Sequence, residues 1–545
     1  MNQEQLLNQA QSLKKAGRLQ EAAAAFEKLC ALYPNFPPLL NDLGILYFQQ
    51  GNFNGGEELL KRSLSLDSKQ SMIFYSLGRA YQTQEKLNEA VSAFKQVTKL
   101  QPDFIEGYFS LGICLHSLEL FADATDCFDE VIKKRPDAAH AQNAKGVSLY
   151  HSGNYTDALV ALQKALNLNP QSPEIFNNLG LAFHKLNEFN EALANYNQAL
   201  AINASYADAY SNRGLTYQAL QKSAEALKDY DKCIQLEPTH SDAHWNKALT
   251  KIQLGEYQEG WALYEWRWKS FSRKWARHYD KPLWLGEESL QGKTIFIYPE
   301  QGFGDFIQFY RYIPKLQALG AQIILETPKA LKSLITGSST EIEIVEVGEK
   351  SSEFDFQCPI MSLPFAFKTG LDSIPSIFPY LKVNPEKIKT WQEKLGPANK
   401  KRVGIAWSGS KEHKNDHNRS IALSELSSLL QMPLEFHSLQ KEIRESDQAF
   451  LENSPIRNHQ DAINDFSDTA ALIENMDLVI TVDTAIAHLT GSLNKPFLLL
   501  LPHLADYRWM LDRKDSPWYP TADLFRQTKL GNWERPIRAM IHELL

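Results

Sequence analysis

The chain has 545 residues, too many for one hydrophobic core, so several domains are expected. Hydrophobic residues make up 43% and charged residues 22%, the make-up of a water-soluble globular protein, and the formal net charge of −8 argues against a general nucleic-acid binder. There is no run of about 18 apolar residues to span a membrane, no basic and apolar leader in Met1 to Gln5, and no CxxC among Cys30, Cys114, Cys127, Cys233 and Cys358, so a cytoplasmic chain with reduced thiols is expected.

Glycines stand at 44, 78, 112, 146, 180 and 214, each 34 residues after the last, and Ala248 continues the series. A second series of small residues follows: Gly56, Ala90, Ala124, Ala158, Ala192, Ala226 and Gly260. Pro34, Pro102, Pro136, Pro170 and Pro238 close several of the units. Small residues let two antiparallel helices approach closely. Bulky ones such as Tyr47, Tyr81, Phe183 and Tyr217 fill the space between hairpins. Proline ends the second helix because it has no N–H to donate. The pattern resembles tetratricopeptide repeats over roughly residues 3–270, about seven units and a partial eighth. Such units bury their faces only by stacking, so an α-solenoid over 1–270 with a concave groove is expected.

The residue two before each small residue of the first series lies on the first helix of its hairpin. These are Asp42, Ser76, Ser110, Ala144, Asn178, Asn212 and Asn246. An asparagine amide offers a donor and an acceptor together, matching a peptide backbone. The row Asn178, Asn212 and Asn246 resembles the asparagine ladder of O-linked N-acetylglucosamine transferase, which implies a protein acceptor held by the repeats. The alternative is that these amides bridge adjacent repeats.

Trp261, Trp266, Trp268, Trp275 and Trp284 then alternate with Arg267, Arg273, Lys274 and Arg277. Interleaved aromatics and bases can suit single-stranded nucleic acid. A seam over 271–292, locking the last hairpin onto the next domain, is the better reading.

From Lys293 the period changes. The stretch 293–298 reads as a buried strand, Gly302 to Asp305 as a tight turn, 306–318 as a helix and 322–326 as the next strand. A second unit opens with the strand 402–407, followed by Ser408, Gly409 and a polar loop to Ser420. The strand 477–482, the turn Asp483-Thr484, a helix from Ala485 to Leu493 and the strand 495–501 follow. The stretch 382–401 reads as the hinge. Two Rossmann-like lobes, 293–385 on the acceptor side and 386–545 on the donor side, describe an α/β GT-B fold.

Three segments carry a more specific resemblance: Glu300-Gln301-Gly302-Phe303-Gly304-Asp305, Ala406-Trp407-Ser408-Gly409, and Val482-Asp483-Thr484-Ala485-Ile486-Ala487-His488-Leu489. They are similar to those of bacterial heptosyltransferase-type enzymes. Together with the repeats, nearly the whole chain resembles bacterial tetratricopeptide-repeat glycosyltransferases, some of which modify proteins such as flagellin. The resemblance is strongest at 294–312 and 402–520.

Roles follow from chemistry. Thr484 and Ala485 open a helix, whose N–H groups and positive end suit a diphosphate. His488 lies on the same face, and Asp483 suits sugar hydroxyls, since two anions repel. The alternative is that Asp483 or Thr484 merely caps the helix. Ser408 and Gly409 can add hydrogen bonds to phosphate. Arg419 first, and Lys414 next, are the cations chosen from a loop that also holds Lys411 and His413, to meet the charge of a leaving nucleotide diphosphate. The one Asp-x-Asp, Asp229-Tyr230-Asp231, falls in a repeat helix, so neither metal nor cofactor is expected. Gln301, Gly302 and Gly304 form the acceptor-side turn. Asp305 is the candidate general base, the role the resemblance also implies, with a helix cap as the compatible alternative. A single base without a carboxylate nucleophile implies inversion. The segments Asp506-Tyr507-Arg508-Trp509 and Asp515 to Pro520 also resemble these enzymes, without individual roles. The resulting expectation is an inverting, metal-independent transfer from a nucleotide sugar to a protein hydroxyl. The alternatives are a glycan or lipid-linked acceptor, and a non-catalytic scaffold.

Overall fold

A computed structural model describes residues 3–270, 277, 279–339, 341–413 and 415–545. Its first compact unit ends at Thr216 and its second begins at Tyr217. Lys414 and, in the seam, Arg273, Lys274 and Trp275 lie outside the described residues.

Antiparallel helix hairpins run from Gln3–Lys15 with Leu19–Leu32 to Ser241–Gln253 with Tyr257–Tyr264. The small-residue series works by close approach. A Cβ on Gly78 would stand 2.6 Å from the Phe94 ring, and one on Gly180 would stand 2.5 Å from Tyr196. The hairpin turns show a second periodicity. Gly17, Gly51, Glu85, Glu119, Gly153, Asn187, Gln221 and Gly255 all adopt positive φ, between 57° and 84°. Each follows the last helical residues of its first helix and reverses the chain, a conformation that glycine adopts without strain.

The second unit carries two parallel sheets. The first has the order β3-β2-β1-β4, from β1 Thr294–Tyr298, β2 Gln322–Thr327, β3 Glu343–Glu346 and β4 Phe356–Pro359. The second has the order β6-β5-β7-β8-β9, from β5 Arg402–Ala406, β6 Glu435–Ser438, β7 Leu478–Val482, β8 Phe497–Leu501 and β9 Ala522–Arg526. Strands β5, β7 and β8 are buried along their whole length, which explains why they are mostly apolar and β8 wholly so. Strand order reverses at β1 in the first sheet and at β5 in the second, because β1 pairs with both β2 and β4 and β5 with both β6 and β7. Ligands of open parallel sheets bind outside the carboxyl ends of the strands at such points. The turn 301–304 leaves β1 there, and Ser408-Gly409 and Asp483-Thr484 leave the neighbouring strands β5 and β7.

The repeat pattern continues to Tyr264, yet the compact division falls inside it. The reason is aromatic packing. Ala248, Ile252, Tyr257, Trp261 and Tyr264 share one buried cluster with β1, β2 and the helices around them. Trp261 meets Phe309, Tyr507 and Trp518 edge to face. Trp284 is buried and its indole N–H donates to Glu288 O at 3.0 Å. Trp266 stacks on His244 at 3.7 Å. The described seam tryptophans are therefore packed side chains within the fold. No helix among the described residues is long and apolar enough to cross a membrane.

Candidate functional site

Glu300 ends the segment that leaves β1. It is buried and clamped by Arg267, whose Nε and a terminal nitrogen donate to its two oxygens at 2.7 and 2.8 Å. Met361 N also donates to it at 3.2 Å. The next residue, Gln301, donates to Tyr264 Oη at 3.4 Å. The turn is thus tied to the last repeat hairpin before Asp305 is reached.

The expected helix 306–318 is two helices, Phe303–Tyr310 and Ile313–Ala318. Gly302 is the N-cap of the first, and Asp305, at its third position, accepts from Gly302 N at 2.9 Å and so closes the helix start as in a capping box rather than as the N-cap. Its other oxygen pairs with Arg508. The side chain remains 16% exposed. Burial lifts its carboxyl above the ordinary aspartate range and Asp506 adds to this, while Arg508, the Gly302 N–H and His413 oppose it. A carboxylate has about four lone-pair sites, so two bonds leave it able to accept another proton.

Gly304 has a packing reason. A Cβ there would stand 2.7 Å from His488 Cδ2, so only glycine lets this turn rest on the helix Ala485–Ser492. The turn expected on the acceptor side and the histidine expected on the donor side therefore touch. His488 is buried, shares a hydrogen bond between Nδ1 and Tyr519 Oη at 2.9 Å, and lies nearly parallel to the Trp509 ring. Burial first, and then the charges of Arg508, Arg311 and Arg419, keep it neutral.

Thr484 caps the helix Ala485–Ser492, its hydroxyl accepting from Ile486 N at 3.3 Å. The Asp483 carbonyl accepts from Arg419 at 3.1 Å. The Asp483 carboxyl is pushed up to about 6, by burial and then by Asp506, against the pull of Trp509, Arg508 and Arg419. Gly409 lets the Arg419 guanidinium lie across the backbone, because a Cβ there would stand 2.6 Å from it. Arg419 Nε is buried and has no hydrogen-bond partner among the described residues. Ser408 is turned inward: its N–H donates to Gln440 Oε1 at 2.8 Å and its hydroxyl bonds the same amide. Lys411 and His413 are exposed.

Two arginines were not assigned from sequence. Arg444 binds Asp416, Ser420 and the Gly409 carbonyl, and so shapes the loop beneath Arg419. Arg508 is buried and binds Gln308 Oε1 at 2.6 Å through Nε, Asp506 at 2.7 Å and Asp305. The only signal for Arg508 was its place in the tail segment. Asp305, Asp483, Asp506, Arg419 and Arg508 form one charged cluster where the turn after β1 meets the turns after β5 and β7. Such a cluster can accept a proton and meet an anion. Among the described residues, no three His, Cys, Asp or Glu side chains group as metal ligands.

In the repeats, Asn178 Nδ2 donates to Asn143 Oδ1 and Asn212 Nδ2 to Asn177 Oδ1, each at 3.0 Å. Both amides thus bridge adjacent hairpins. Asn178 and Asn212 belong to the first compact unit and Asn246 to the second; all three are partly exposed.

Residues 464–503 match the model of glycosyltransferase family 9 (heptosyltransferase). This segment contains Asp483, Thr484, Ala485 and His488. Tetratricopeptide-repeat models match residues 13–74, 73–104, 146–187, 182–221 and 207–240. The chain is 27% identical over 312 residues to Protein FlbA of Caulobacter vibrioides, covering 52% of this chain and 51% of that protein. It therefore spans about half the length of this curated relative. Among solved structures, YrrB, a repeat protein with an unusual peptide-binding site, is 21% identical and covers 34% of this chain and 95% of its own, with a TM-score of 0.29. MamA from AMB-1 is 28% identical over 31% of this chain and 92% of its own, with a TM-score of 0.29. The C-terminal part of a repeat protein from Cytophaga hutchinsonii is 17% identical over 44% of this chain and 98% of its own, with a TM-score of 0.38.

Proposed function

We propose that the chain is an inverting, metal-independent glycosyltransferase with a GT-B catalytic half. It moves a sugar from a nucleotide-diphosphate donor to a hydroxyl of a protein carried by the repeats. The observation that carries this reading is the contact between the segment matched to glycosyltransferase family 9 and the Asp305 turn, at Gly304 and His488. The acceptor hydroxyl attacks the anomeric carbon and gives its proton to Asp305. The bond from that carbon to the diphosphate breaks, and the leaving group takes the electron pair. Arg419 and the helix start at Thr484 and Ala485 meet the charge that develops. Asp483, close to half-protonated near pH 6, suits a hydroxyl of the donor sugar.

The test is release of nucleoside diphosphate, and sugar incorporation into lysate proteins, from UDP-, GDP- and ADP-linked sugars. No incorporation by wild type would sink the reading. Abolition by EDTA would refute its metal-free part.

A second reading keeps the chemistry and makes the acceptor a glycan or lipid-linked sugar. It is favoured by the heptosyltransferase description of the matched family, and by the use of Asn178 and Asn212 as bridges between hairpins.

A further inference from the structure

Arg508 has no role in the reaction as proposed, yet it is the most densely bonded cation beside Asp305. Its guanidinium is planar and carries five N–H donors in fixed directions. Three of those directions are occupied: Nε by Gln308 Oε1, one terminal nitrogen by Asp506, and the other by Asp305. Gln308 lies on the same helix as Asp305 and is fully buried, so it fixes the guanidinium against that helix. Arg508 also lies over the Tyr507 ring, with its carbon 4.4 Å from the centroid. The side chain is 8% exposed, which leaves little room for it to reach a substrate itself.

We propose that Arg508 is the positioning residue for Asp305: its guanidinium, held by Gln308 and Asp506, fixes the orientation of the carboxyl at the turn and places a permanent positive charge against it. This rests on the reading of Asp305 as the base. Among the described residues, the groups facing Asp305 are Arg508, Asp506 and Tyr507 on the tail segment, His413 on the loop after β5, Tyr264 on the last repeat helix and the Gly302 N–H. Of these described groups, Arg508 is the permanent cation. Without it, burial and Asp506 act on Asp305 nearly unopposed, and the carboxyl would hold its proton at a pH where a base must be empty. The sign is fixed: loss of Arg508 moves Asp305 titration to higher pH.

The first measurement needs no substrate. The full chain is labelled with 13C-carboxyl aspartate, and the Asp305 signal is assigned by its loss in Asp305→Asn. In Arg508→Gln its titration midpoint is expected to rise by about 1–3 pH units. Arg508→Lys keeps the charge but cannot fork between two carboxylates and an amide, so a smaller rise, about 0.5–1 unit, is expected. A wild-type midpoint in both variants overturns the proposal; should Arg508→Gln not fold, Arg508→Lys decides alone. Any arginine paired with Asp305 would hold this midpoint down, so the role in transfer is read from the pH profile: the acid limb of kcat/KM is expected to move up with the Asp305 midpoint in Arg508→Gln, and an unmoved limb overturns the positioning role. Transfer by Asp305→Asn is measured separately. An inactive Asp305→Asn with an unmoved midpoint in the Arg508 variants rejects Arg508 and leaves the base. A fully active Asp305→Asn rejects the base, and the positioning role falls with it.

Discussion

Asp305 illustrates why a cap and a base need not compete. Its Oδ2 takes the Gly302 N–H and its Oδ1 takes Arg508, and each oxygen keeps a lone pair. Asp305→Asn keeps the cap, because an amide oxygen accepts as well, but cannot take a proton. Its kcat is therefore expected to fall by about 10²–10⁴-fold with donor affinity little changed. A variant within a few-fold of wild type would remove the base. Arg419 makes the opposite prediction. Arg419→Met should weaken binding of free nucleoside diphosphate in calorimetry by about 10–100-fold, the worth of a hydrogen bond to a charged group; unchanged affinity would show that Arg419 only braces the Asp483 carbonyl. Asp483 bears on stability. Its folded pKa is about 6, above the ordinary aspartate value, so its stabilising proton is held at low pH and lost as pH rises through about 6. Asp483→Asn is then expected to raise the melting temperature at pH 7.5 and to leave it unchanged near pH 3.5. An equal effect at both pH values would refute the assigned cause.

At the level of the hairpin, the turn positions matter as much as the glycines of the helix crossing. Glu85, Glu119, Asn187 and Gln221 occupy the same left-handed slot that Gly17, Gly51, Gly153 and Gly255 fill elsewhere. An L side chain in that region costs about 1–2 kcal/mol, less the entropy glycine loses on folding. Glu85→Gly is thus expected to stabilise the chain by about 0.5–1 kcal/mol in denaturant unfolding. Destabilisation would show that the Glu85 side chain contributes more than its strain costs. The helix-crossing series was legible in the sequence because its spacing is fixed and its residues are small. The turn series was not, because half of its members are polar residues that also suit ordinary helix ends.

Across the whole molecule, the sequence revealed elements better than partnerships. Buried parallel strands announce themselves as apolar runs, and the motif-bearing turns follow them, so the strands and the turns at 301–305, 408–409 and 483–485 were readable. The Arg508 to Asp305 pair was not: the two residues are separated by most of the second unit and meet only when the tail returns to the helix Phe303–Tyr310. Sequence alone points Ser408 at a ligand, because nothing in it shows that Gln440 holds the side chain inward. The repeat asparagines need a controlled test for a similar reason. Asn143→Ala and Asn177→Ala remove the bridges to Asn178 and Asn212 but leave those amides in place. If the repeats carry a protein acceptor, the variant with Asn178, Asn212 and Asn246 all changed to alanine should lose most protein glycosylation, while the Asn143 and Asn177 variants keep it. Equal losses would assign these amides to hairpin stacking and favour a non-protein acceptor.

The burial of Ala248, Ile252, Tyr257, Trp261 and Tyr264 in the core of the sheets has a consequence for how such a chain can change over time. A duplicated or deleted 34-residue unit within the first compact unit alters hairpins that repeat one another. The same event at the last hairpin would strip Tyr264 from Gln301 and Tyr507, and Trp261 from Phe309 and Trp518. Repeat number is therefore free to drift at one end of the array and frozen at the other. A graft that exchanges the array for another is best joined ahead of Ala207, so that the hairpin whose Gln221 donates to His503 O travels with the final hairpin and the sheets.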